Sequence, residues 1–235
     1  MEFTKEVKEF LTGTKFSNGA NISIRQNSEV RDRISFLESL ARKYSVIHLG
    51  FADHLPLIDE KIKAGTWLHK RLSDVANECI GVDIDREAVE VLTSKLKIKD
   101  LYQHDVINDP PLPRITATKW DYFIIGEVLE HIDNPVLFLS EIRKKYGPYV
   151  KKFVITVPNA WDYDNFRNLL KSVESINTDH RYWFTPFTLS KVCVRAGFNV
   201  EECTFVAGSM PGRKRGFLFK RFPFLQSGLV AVITP

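Results

Sequence analysis

The chain has 235 residues, of which 44% are hydrophobic and 26% are charged, a balance typical of a globular domain with a buried core. The sequence has no run of about eighteen apolar residues, which argues against a transmembrane helix, and residues 1–10 lack the apolar centre of a signal peptide. The formal net charge of +4 is too small to indicate nucleic-acid binding by itself, and cysteines without metal-ligand spacing predict a cytoplasmic protein with reduced thiols at Cys79, Cys193 and Cys203.

The chain opens with an irregular segment, which is followed by the patterns of a helix and a strand. Residues 1–27 contain glycine turns and are predicted to be a variable lead-in. Apolar residues recur at helical spacing over 28–43, where Ser28 is a suitable N-cap. The β-branched run over 45–50 stops at a glycine, so we expect the first strand there, followed by a turn.

Strands and helices alternate through the middle of the chain. The predicted strands are, in order, Glu78–Asp83, Leu101–His104, Trp120–Ile125 and Lys152–Val157. Helices are predicted over Arg86–Lys97, Pro135–Lys145 and Pro186–Arg195. This alternation predicts a parallel sheet with right-handed crossovers, in which ligands bind at the carboxyl ends of the strands near the topological switch point.

The last two strands break the alternation. They lie near Val200–Val206 and Gly228–Thr234, and no helix of convincing length is predicted between them. We therefore expect an antiparallel pair at one edge of the sheet. The predicted fold is an open α/β sheet of seven mostly parallel strands, with helices on both faces and a C-terminal antiparallel hairpin.

Acidic residues end two of the predicted strands. Asp83 ends the second strand, where a carboxylate can accept two hydrogen bonds from a ribose diol. Asp105 follows the third strand and can accept a bond from an adenine amino group, although an ordinary turn aspartate fits the pattern equally well. Asp85 is better explained as a cap of the following helix. The turn after the first strand has a single glycine, Gly50, for close approach of a nucleotide-type ligand.

Five segments resemble, in chain order, the successive motifs of class I S-adenosylmethionine-dependent methyltransferases, which have a Rossmann-like fold. These segments are Val46–Gly50, Gly81–Asp85, His104–Val106, Asp121–His131 and Arg195–Phe198. The fourth segment is the most specific match. The resemblance covers residues 28–235 and implies a single methyltransferase domain with S-adenosylmethionine as its cofactor.

The resemblance also implies which residues hold each part of the cofactor. Gly50 would contact its amino-acid part, and Asp83 its ribose. Asp105 and Val106 would contact its adenine. The other residues implied at the cofactor are Phe51, Ala52, Asp53, His54, Ile84, Gly126 and Glu127, the last two near the reacting centre.

The turn after the first strand departs from the family pattern. His48 stands where the family usually has an acidic residue, and Ala52 and His54 stand where it usually has glycines. A turn so poor in glycine keeps open the hypothesis of a non-catalytic member that binds the cofactor or a partner protein.

The stretch between the first two strands is longer than is usual in the family. We therefore expect the first crossover helix late, over 67–76, with Trp67 and Leu68 packed in the core. The segment from Asp53 to His69 resembles a subgroup found among glycan-modifying methyltransferases.

Candidate catalytic residues cluster in two segments. Glu127, Glu130 and His131 follow the fourth strand, and His180 precedes the helix over 186–195. In small-RNA 2′-O-methyltransferases a similar Glu-x-x-Glu-His segment and a later histidine hold magnesium, and the first segment also resembles a metal site in ubiquinone-pathway O-methyltransferases. The resemblance implies these four residues as ligands of magnesium or another divalent cation, since carboxylates suit a hard ion and imidazoles a softer one. Two alternatives remain: His180 or His131 acts as a general base without metal, or the segment shapes the loop.

Substrate-side candidates follow the fifth strand. Asn159 lies at the expected sheet end, and Trp161 and Tyr163 can stack on a sugar or base, although covering the site is an equally good role for them. Arg181, beside His180, is a further candidate.

The segment over 212–222 combines five cations with three phenylalanines and a leucine. Three functions fit this basic loop: a membrane-surface patch that brings the enzyme to a lipid-linked substrate, a site for a phosphate-bearing or acidic glycan, and an RNA-backbone contact. The structural alternative is that the phenylalanines pack on the sheet edge while the cations stay in water.

These observations favour an S-adenosylmethionine-dependent O-methyltransferase acting on a sugar hydroxyl of a glycan or related metabolite. The alternative enzyme is a metal-assisted RNA 2′-O-methyltransferase, which the modest net charge and the lack of a separate RNA-binding domain weaken. A non-catalytic scaffold is the alternative from another class. A nicotinamide-dependent dehydrogenase is disfavoured because Gly-x-Gly-x-x-Gly is missing.

Overall fold

The computed structural model describes residues 3–24, 29–53, 55–94 and 96–235. Its strands are β1 (Ser45–Leu49), β2 (Glu78–Asp83), β3 (Leu101–Gln103), β4 (Trp120–Gly126), β5 (Val150–Pro158), β6 (Asn199–Val206) and β7 (Gly228–Thr234). They form one sheet in the order β3-β2-β1-β4-β5-β7-β6. The first five strands pair in parallel, whereas β7 runs antiparallel to both β5 and β6. The predicted sheet and its C-terminal hairpin are therefore confirmed.

Helices cover both faces of this sheet. In the described part of the chain they are α1 (Lys5–Thr12), α2 (Arg33–Ala41), α3 (Leu55–Lys63), α4 (Leu68–Val75), α5 (Arg86–Ser94), α6 (Pro113–Thr116), α7 (Pro135–Tyr146), α8 (Tyr163–Leu169), α9 (Pro186–Arg195) and α10 (Arg213–Arg221). Helices α2 and α4 pack on one face, and α7 and α9 pack on the other. None of these helices has both the length and the apolar composition needed to cross a bilayer.

Several predicted boundaries differ from the observed ones. The helix predicted over 28–43 begins at Arg33, because the carboxylate of Asp32 accepts a bond from the Ser35 amide at 3.0 Å and so acts as the N-cap. Ser28, the predicted cap, lies outside the described residues. The late crossover helix is confirmed as α4, and Trp67 immediately before it is buried.

The sequence predicts no helix between the last two strands. This prediction was wrong, because α10 lies there. Five cations among its residues hide the helical spacing of its apolar side chains, of which Phe219 is buried. Helices α3 in the stretch after Gly50, α6 before β4 and α8 after Asp162 were also missed.

The predicted N-terminal lead-in contains α1, which packs on α9. Its apolar side chains Val7 and Leu11 are buried. The ammonium of Lys191, on α9, donates a hydrogen bond to the carbonyl of Phe10. Helix α1 ends at Gly13, which adopts the left-handed conformation with φ +84°. The amide of Gly13 donates to the carbonyl of Glu9, which closes the last turn.

The side chains of successive strand residues alternate between the two faces of the sheet. On β4, Phe123 and Ile125 face α7 and α9, while Ile124 faces α2 and α4, and all three are fully buried. Each such side chain stabilises the fold by about 1.5–3 kcal/mol relative to an exposed position. The central strands are thereby fixed in register, and their carboxyl ends meet at one sheet edge.

The turn after β1 sits at this edge, between the neighbouring strands β2 and β4. Gly50 adopts φ +76°, and a Cβ atom there would lie 2.5 Å from Cγ2 of Val128. Its amide donates to the carbonyl of Val82 at 3.0 Å, which ties the turn to β2. Only glycine combines this backbone conformation with so close a neighbour. The single glycine of the turn therefore stands where a side chain cannot be accommodated.

Two histidines form a buried pair beneath this turn. His48 on β1 and His69 on α4 stack with ring centroids 5.5 Å apart, and their Nδ1 atoms are 3.4 Å apart. The rings of Phe51 and Trp67 also contact His69. Burial lowers the pKa of His69 to about 4 and that of His48 well below its usual value, the second also because of its partner's charge. Both rings are therefore neutral at pH 7.

This pair should make folding sensitive to mild acid. A histidine whose pKa is lowered by folding binds its proton in the unfolded chain first, so stability is lost as pH falls through about 6.5 toward 4. As the pH falls from 7 to 5, each ring should lower the free energy of unfolding by on the order of 1–2 kcal/mol. Urea denaturation of the wild type and of His69→Asn, whose amide lies near the Nδ1 position, should show a shallower loss in the variant. Equal slopes would contradict this account.

Candidate active site

A cavity of about 1310 Å³ opens at the carboxyl ends of β1, β2 and β4. Pockets for single small ligands span roughly 300–1,000 Å³, so this cavity is larger than is usual for one small ligand. Of the residues that the sequence places at the cofactor, those lining it are Gly50, Phe51, Asp53, Asp83, Ile84, Asp105, Val106, Gly126 and Glu127. The residues of β1, β2 and β4 and their loops thus come together as the sequence predicts. His54 lies outside the described residues.

Asp83 is held at the cavity wall by two backbone donors. Its Oδ2 accepts from the amide of Ala52 and its Oδ1 from the amide of Asp85, each at 3.0 Å. Burial raises the pKa of Asp83, while these hydrogen bonds oppose the shift. Each oxygen retains a second lone pair, so the carboxylate can accept two further bonds from a ligand. Asp85 itself caps α5 by accepting from the amide of Ala88 at 3.0 Å, as predicted.

Asp105 is committed mainly to its own turn. Its Oδ1 accepts from the amides of Ile107 and Asn108, both at 2.9 Å, and its Oδ2 accepts from the side-chain amide of Asn108 at 2.8 Å. One acceptor position on Oδ2 is left for a ligand. The neighbouring Val106 is buried and lines the cavity.

Glu127 follows β4 in a backbone conformation that is rare for a residue with a side chain. Its φ is +55°, which costs of order 1–3 kcal/mol and is typical of functional positions. Its Oε1 accepts from the hydroxyl of Thr156 on β5 at 2.8 Å and lies 3.8 Å from Nη1 of Arg33. Neither Thr156 nor Arg33 was found from the sequence, because no motif or spacing distinguishes them.

Glu130, His131 and His180 form a compact cluster at the cavity wall. One ligand atom from each lies within 4.8 Å of the others. The Oε1 atom of Glu130 is 4.0 Å from Nε2 of His131 and 4.0 Å from Nε2 of His180. The two rings meet edge to face with centroids 4.7 Å apart. Three of the four predicted metal ligands therefore converge, whereas Glu127 points to Thr156 and is not part of the cluster.

The carboxylate of Glu130 is fully buried at 0% exposure, and neither of its oxygens has a hydrogen-bond partner among the described residues. Burial, and to a lesser degree the charge of Glu127, raises the pKa of Glu130 to about 8. The buried Nδ1 of His180 also lacks a partner there. Buried polar groups in folded proteins are normally satisfied, so these orphaned atoms fit a site for a cation.

The surroundings of the cluster orient its two imidazoles. Nδ1–H of His131 donates to Asp179 at 2.8 Å, which leaves the lone pair of its Nε2 available on the side of Glu130. This is the arrangement in which an outer carboxylate fixes the tautomer of a metal-binding histidine. The amide of Arg181 donates to the carbonyl of Glu130 at 2.8 Å, so the two segments are joined next to the cluster.

Two of the predicted substrate residues do not reach the cavity. Asn159 is buried, and its Nδ2 donates to the carbonyls of Phe224 and Gln226 at 2.8 and 2.7 Å, so it shapes the loop instead. The ring of Tyr163 is covered by the guanidinium groups of Arg167 and Arg215 on the surface. These two predictions were wrong because proximity in sequence to a strand end does not fix where a side chain points.

The other two predicted substrate residues are also absent from the cavity lining. Trp161 lines a second cavity of about 650 Å³ with Phe10 and Phe187. The guanidinium of Arg181 pairs with Asp133 at 2.5 Å and donates to the carbonyl of His131. Arg181 therefore joins the segment around His180 to the loop after β4 rather than presenting a free cation.

The cavity is strongly acidic. Its described lining contains seven acidic side chains and two cations. The acidic side chains are Asp53, Asp83, Asp105, Glu127, Glu130, Asp133 and Asp179, and six of them are charged at pH 7, since the pKa of Glu130 is raised to about 8. Both cations are already paired within the chain, Arg33 with Glu127 and Lys61 with Asp53. The site therefore attracts positively charged ligands and repels polyanions.

A sequence profile for the methyltransferase domain matches residues 63–203 of this chain. No curated protein sequence matches it. Among solved structures, the chain resembles a methyltransferase from Aquifex aeolicus described as S-adenosylmethionine-dependent, at 16% identity, with a TM-score of 0.53, over 86% of this chain and 87% of that one.

Two further similar structures carry the name HEN1. The small RNA methyltransferase HEN1 superposes with a TM-score of 0.57 at 17% identity over 92% of this chain, which spans only 27% of that protein's length. The methyltransferase domain of a bacterial protein, CtHen1-CN, superposes with a TM-score of 0.52 at 17% identity over 97% of this chain and 100% of that one. Likenesses at such identities establish the fold. Because the profile spans more than half of the sequence, the chain belongs to the methyltransferase domain family, and its fold is that of S-adenosylmethionine-dependent methyltransferases.

Proposed function

We propose that this enzyme transfers the methyl group of S-adenosylmethionine to a sugar hydroxyl with the help of a divalent cation held by Glu130, His131 and His180. The observation that carries the proposal is the carboxylate of Glu130, buried without a partner between two imidazoles. An uncompensated buried carboxylate is destabilising, and a bound cation would return it to its ionised form.

The donor set supports a borderline ion as much as a hard one. One carboxylate oxygen and two imidazole nitrogens suit manganese, iron, cobalt or zinc, whereas magnesium prefers oxygen ligands and retains several waters. A cation in this position would polarise an acceptor hydroxyl and make its proton more acidic.

The chain's own residues contribute positioning. Asp179 fixes the ring of His131, and the bond from the amide of Arg181 to the carbonyl of Glu130 holds the second segment against the first. Glu127 is fixed by Thr156 and Arg33 at the end of β4. Methyl transfer from a sulfonium requires an in-line nucleophile held close, so rigid walls of this kind supply much of the catalysis.

We further propose that the cofactor lies between the turn after β1 and the ends of β2 and β3. Asp83, held by Ala52 and Asp85, is placed to accept both hydroxyls of the ribose. The cationic sulfonium is favoured by the acidic lining.

The acidic cavity favours an uncharged sugar of a glycan or related metabolite as the acceptor. Even with a divalent ion bound, the described carboxylates outnumber the positive charges of the lining, so a chain of phosphates would be repelled. A ribose 2′-hydroxyl of RNA is the second candidate. The likeness to a protein described as the small RNA methyltransferase HEN1 favours it, together with the ligand cluster.

The ribose assignment predicts that Asp83→Ala weakens binding of S-adenosylmethionine by at least roughly 100-fold. The reason is the loss of charge-assisted hydrogen bonds worth about 1.5–3 kcal/mol each. Isothermal titration calorimetry measures the change. Asp85→Asn, which keeps an N-cap on α5, is the matched control and should bind normally. A folded Asp83→Ala protein with unchanged affinity would remove Asp83 from the cofactor site.

The cation proposal predicts that the wild type binds Mn²⁺ and that Glu130→Gln binds it at least about 100-fold more weakly, since even outer-shell changes cost roughly 10–100-fold. Isothermal titration calorimetry with Mn²⁺ or with Mg²⁺ measures the metal affinity in the absence of an acceptor. Affinity for S-adenosylmethionine should change little, and Glu141→Gln, a change on α7 outside the cavity lining, should bind the metal normally.

If the wild-type protein binds neither metal, the proposed cation site is refuted. In that case His180→Ala decides between the two remaining alternatives. A large loss of turnover with unchanged cofactor affinity would identify a general base, and unchanged turnover would leave only a role in loop geometry.

The acceptor class can be tested by its salt dependence. With labelled S-adenosylmethionine, we expect methyl transfer to neutral oligosaccharides. The rate of transfer should vary little between roughly 50 and 200 mM salt. Transfer to single-stranded RNA would instead fall steeply over this interval, because phosphate contacts release counterions. Labelling of RNA alone would replace the glycan acceptor by the second candidate.

A further inference from the structure

Helix α10 presents one continuous basic face. Phe217 is 77% exposed, and Arg213, Lys214, Lys220 and Arg221 stand three or four positions away from it on the same side of the helix. All four cations are exposed. Within the described part of the chain none of them forms an ion pair, whereas Arg215 of the same helix pairs with Asp164.

Helix α8 adjoins α10 and carries exposed apolar side chains. Arg215 donates to both carboxylate oxygens of Asp164 at 2.8 and 3.0 Å, which ties the two helices together. At the end of α8, Leu169 and Leu170 are 70% and 72% exposed, and Phe166 is also exposed. Apolar groups brought together on a surface in this way mark interaction sites rather than ordinary surface.

We propose that the exposed face of α10, formed by Arg213, Lys214, Lys220 and Arg221 around Phe217, binds the surface of an anionic phospholipid bilayer, with the exposed apolar side chains of the adjoining α8 beside it. Basic side chains around an apolar centre fit a layer of negatively charged headgroups above hydrocarbon. The aliphatic groups decide against RNA, since nucleic-acid surfaces use aromatic and guanidinium planes for stacking.

The position of this surface relates it to the active site. Gly228, at the start of β7, pairs with Pro158 at the carboxyl end of β5. The segment that carries α10 therefore enters the sheet at the edge where the cavity opens, and α8 leaves β5 at that same edge. A bilayer bound there would lie on the side of the molecule that receives the acceptor.

This placement indicates an acceptor attached to a lipid at the membrane surface. That second step rests on the proposed function, namely methylation of a sugar hydroxyl. Bilayer binding itself does not depend on it, so the two can fail separately.

Vesicle co-sedimentation of the full chain tests the proposal. We expect binding to vesicles of phosphatidylcholine with about a third phosphatidylglycerol, little binding to phosphatidylcholine alone, and release at about 0.5 M salt. The combined change Arg213→Gln, Lys214→Gln, Lys220→Gln and Arg221→Gln should weaken binding at least about tenfold. Phe217→Ala should weaken it without altering its salt dependence.

The matched control removes the same charge from other exposed sites, through Lys63→Gln, Lys97→Gln, Lys99→Gln and Lys144→Gln, and should bind vesicles normally. Retained binding of S-adenosylmethionine shows that each variant is folded. Absence of binding to anionic vesicles, equal binding to neutral ones, or wild-type binding by the α10 variant would overturn the proposal. Loss of RNA binding by that variant, with no vesicle binding by the wild type, would assign the surface to RNA.

Discussion

The buried carboxyl group of Glu130 is the constraint around which the cluster with His131 and His180 is arranged. A carboxylate without a partner in the protein interior is destabilising. The position of Glu130 is nevertheless fixed by neighbouring groups. The 3-10 turn over Leu129–His131 carries it inward, and the amide of Arg181 holds its carbonyl. Burial of this group lowers the stability of the fold, and the two imidazoles beside it indicate that the loss serves a chemical function.

The general fold follows from the sequence because its signals are local. β-branched runs that stop at glycine, proline or aspartate predict strands, and the helices between them can run only one way across a parallel sheet. The convergence of Asp83, Gly126 and Glu127 at one cavity follows from the same topology, since the carboxyl ends of parallel strands meet. The clustering of Glu130, His131 and His180 came from family resemblance, since nothing local links residues fifty positions apart.

The sequence could not show what depends on side-chain direction. Asn159 and Tyr163 follow a strand that ends at the site, yet one is buried in the loop and the other lies under two arginines. Helix α10 was not predicted because its cations mask the helical spacing of its apolar side chains. Arg33 and Thr156, which hold Glu127, belong to an ordinary helix start and an ordinary strand, so only the three-dimensional arrangement gives them a role.

The mild net charge of the chain conceals a separation of charge. Acidic groups collect in the cavity, and unpaired basic groups collect on α10. The cofactor carries a positive sulfonium before methyl transfer and a neutral thioether afterwards. The carboxylates that attract the first have no such attraction for the second, so the reaction itself weakens the hold of the cavity on its nucleoside. With the cofactor placed as proposed, the acidic wall that recruits the methyl donor also favours exchange of the neutral product for a new donor molecule.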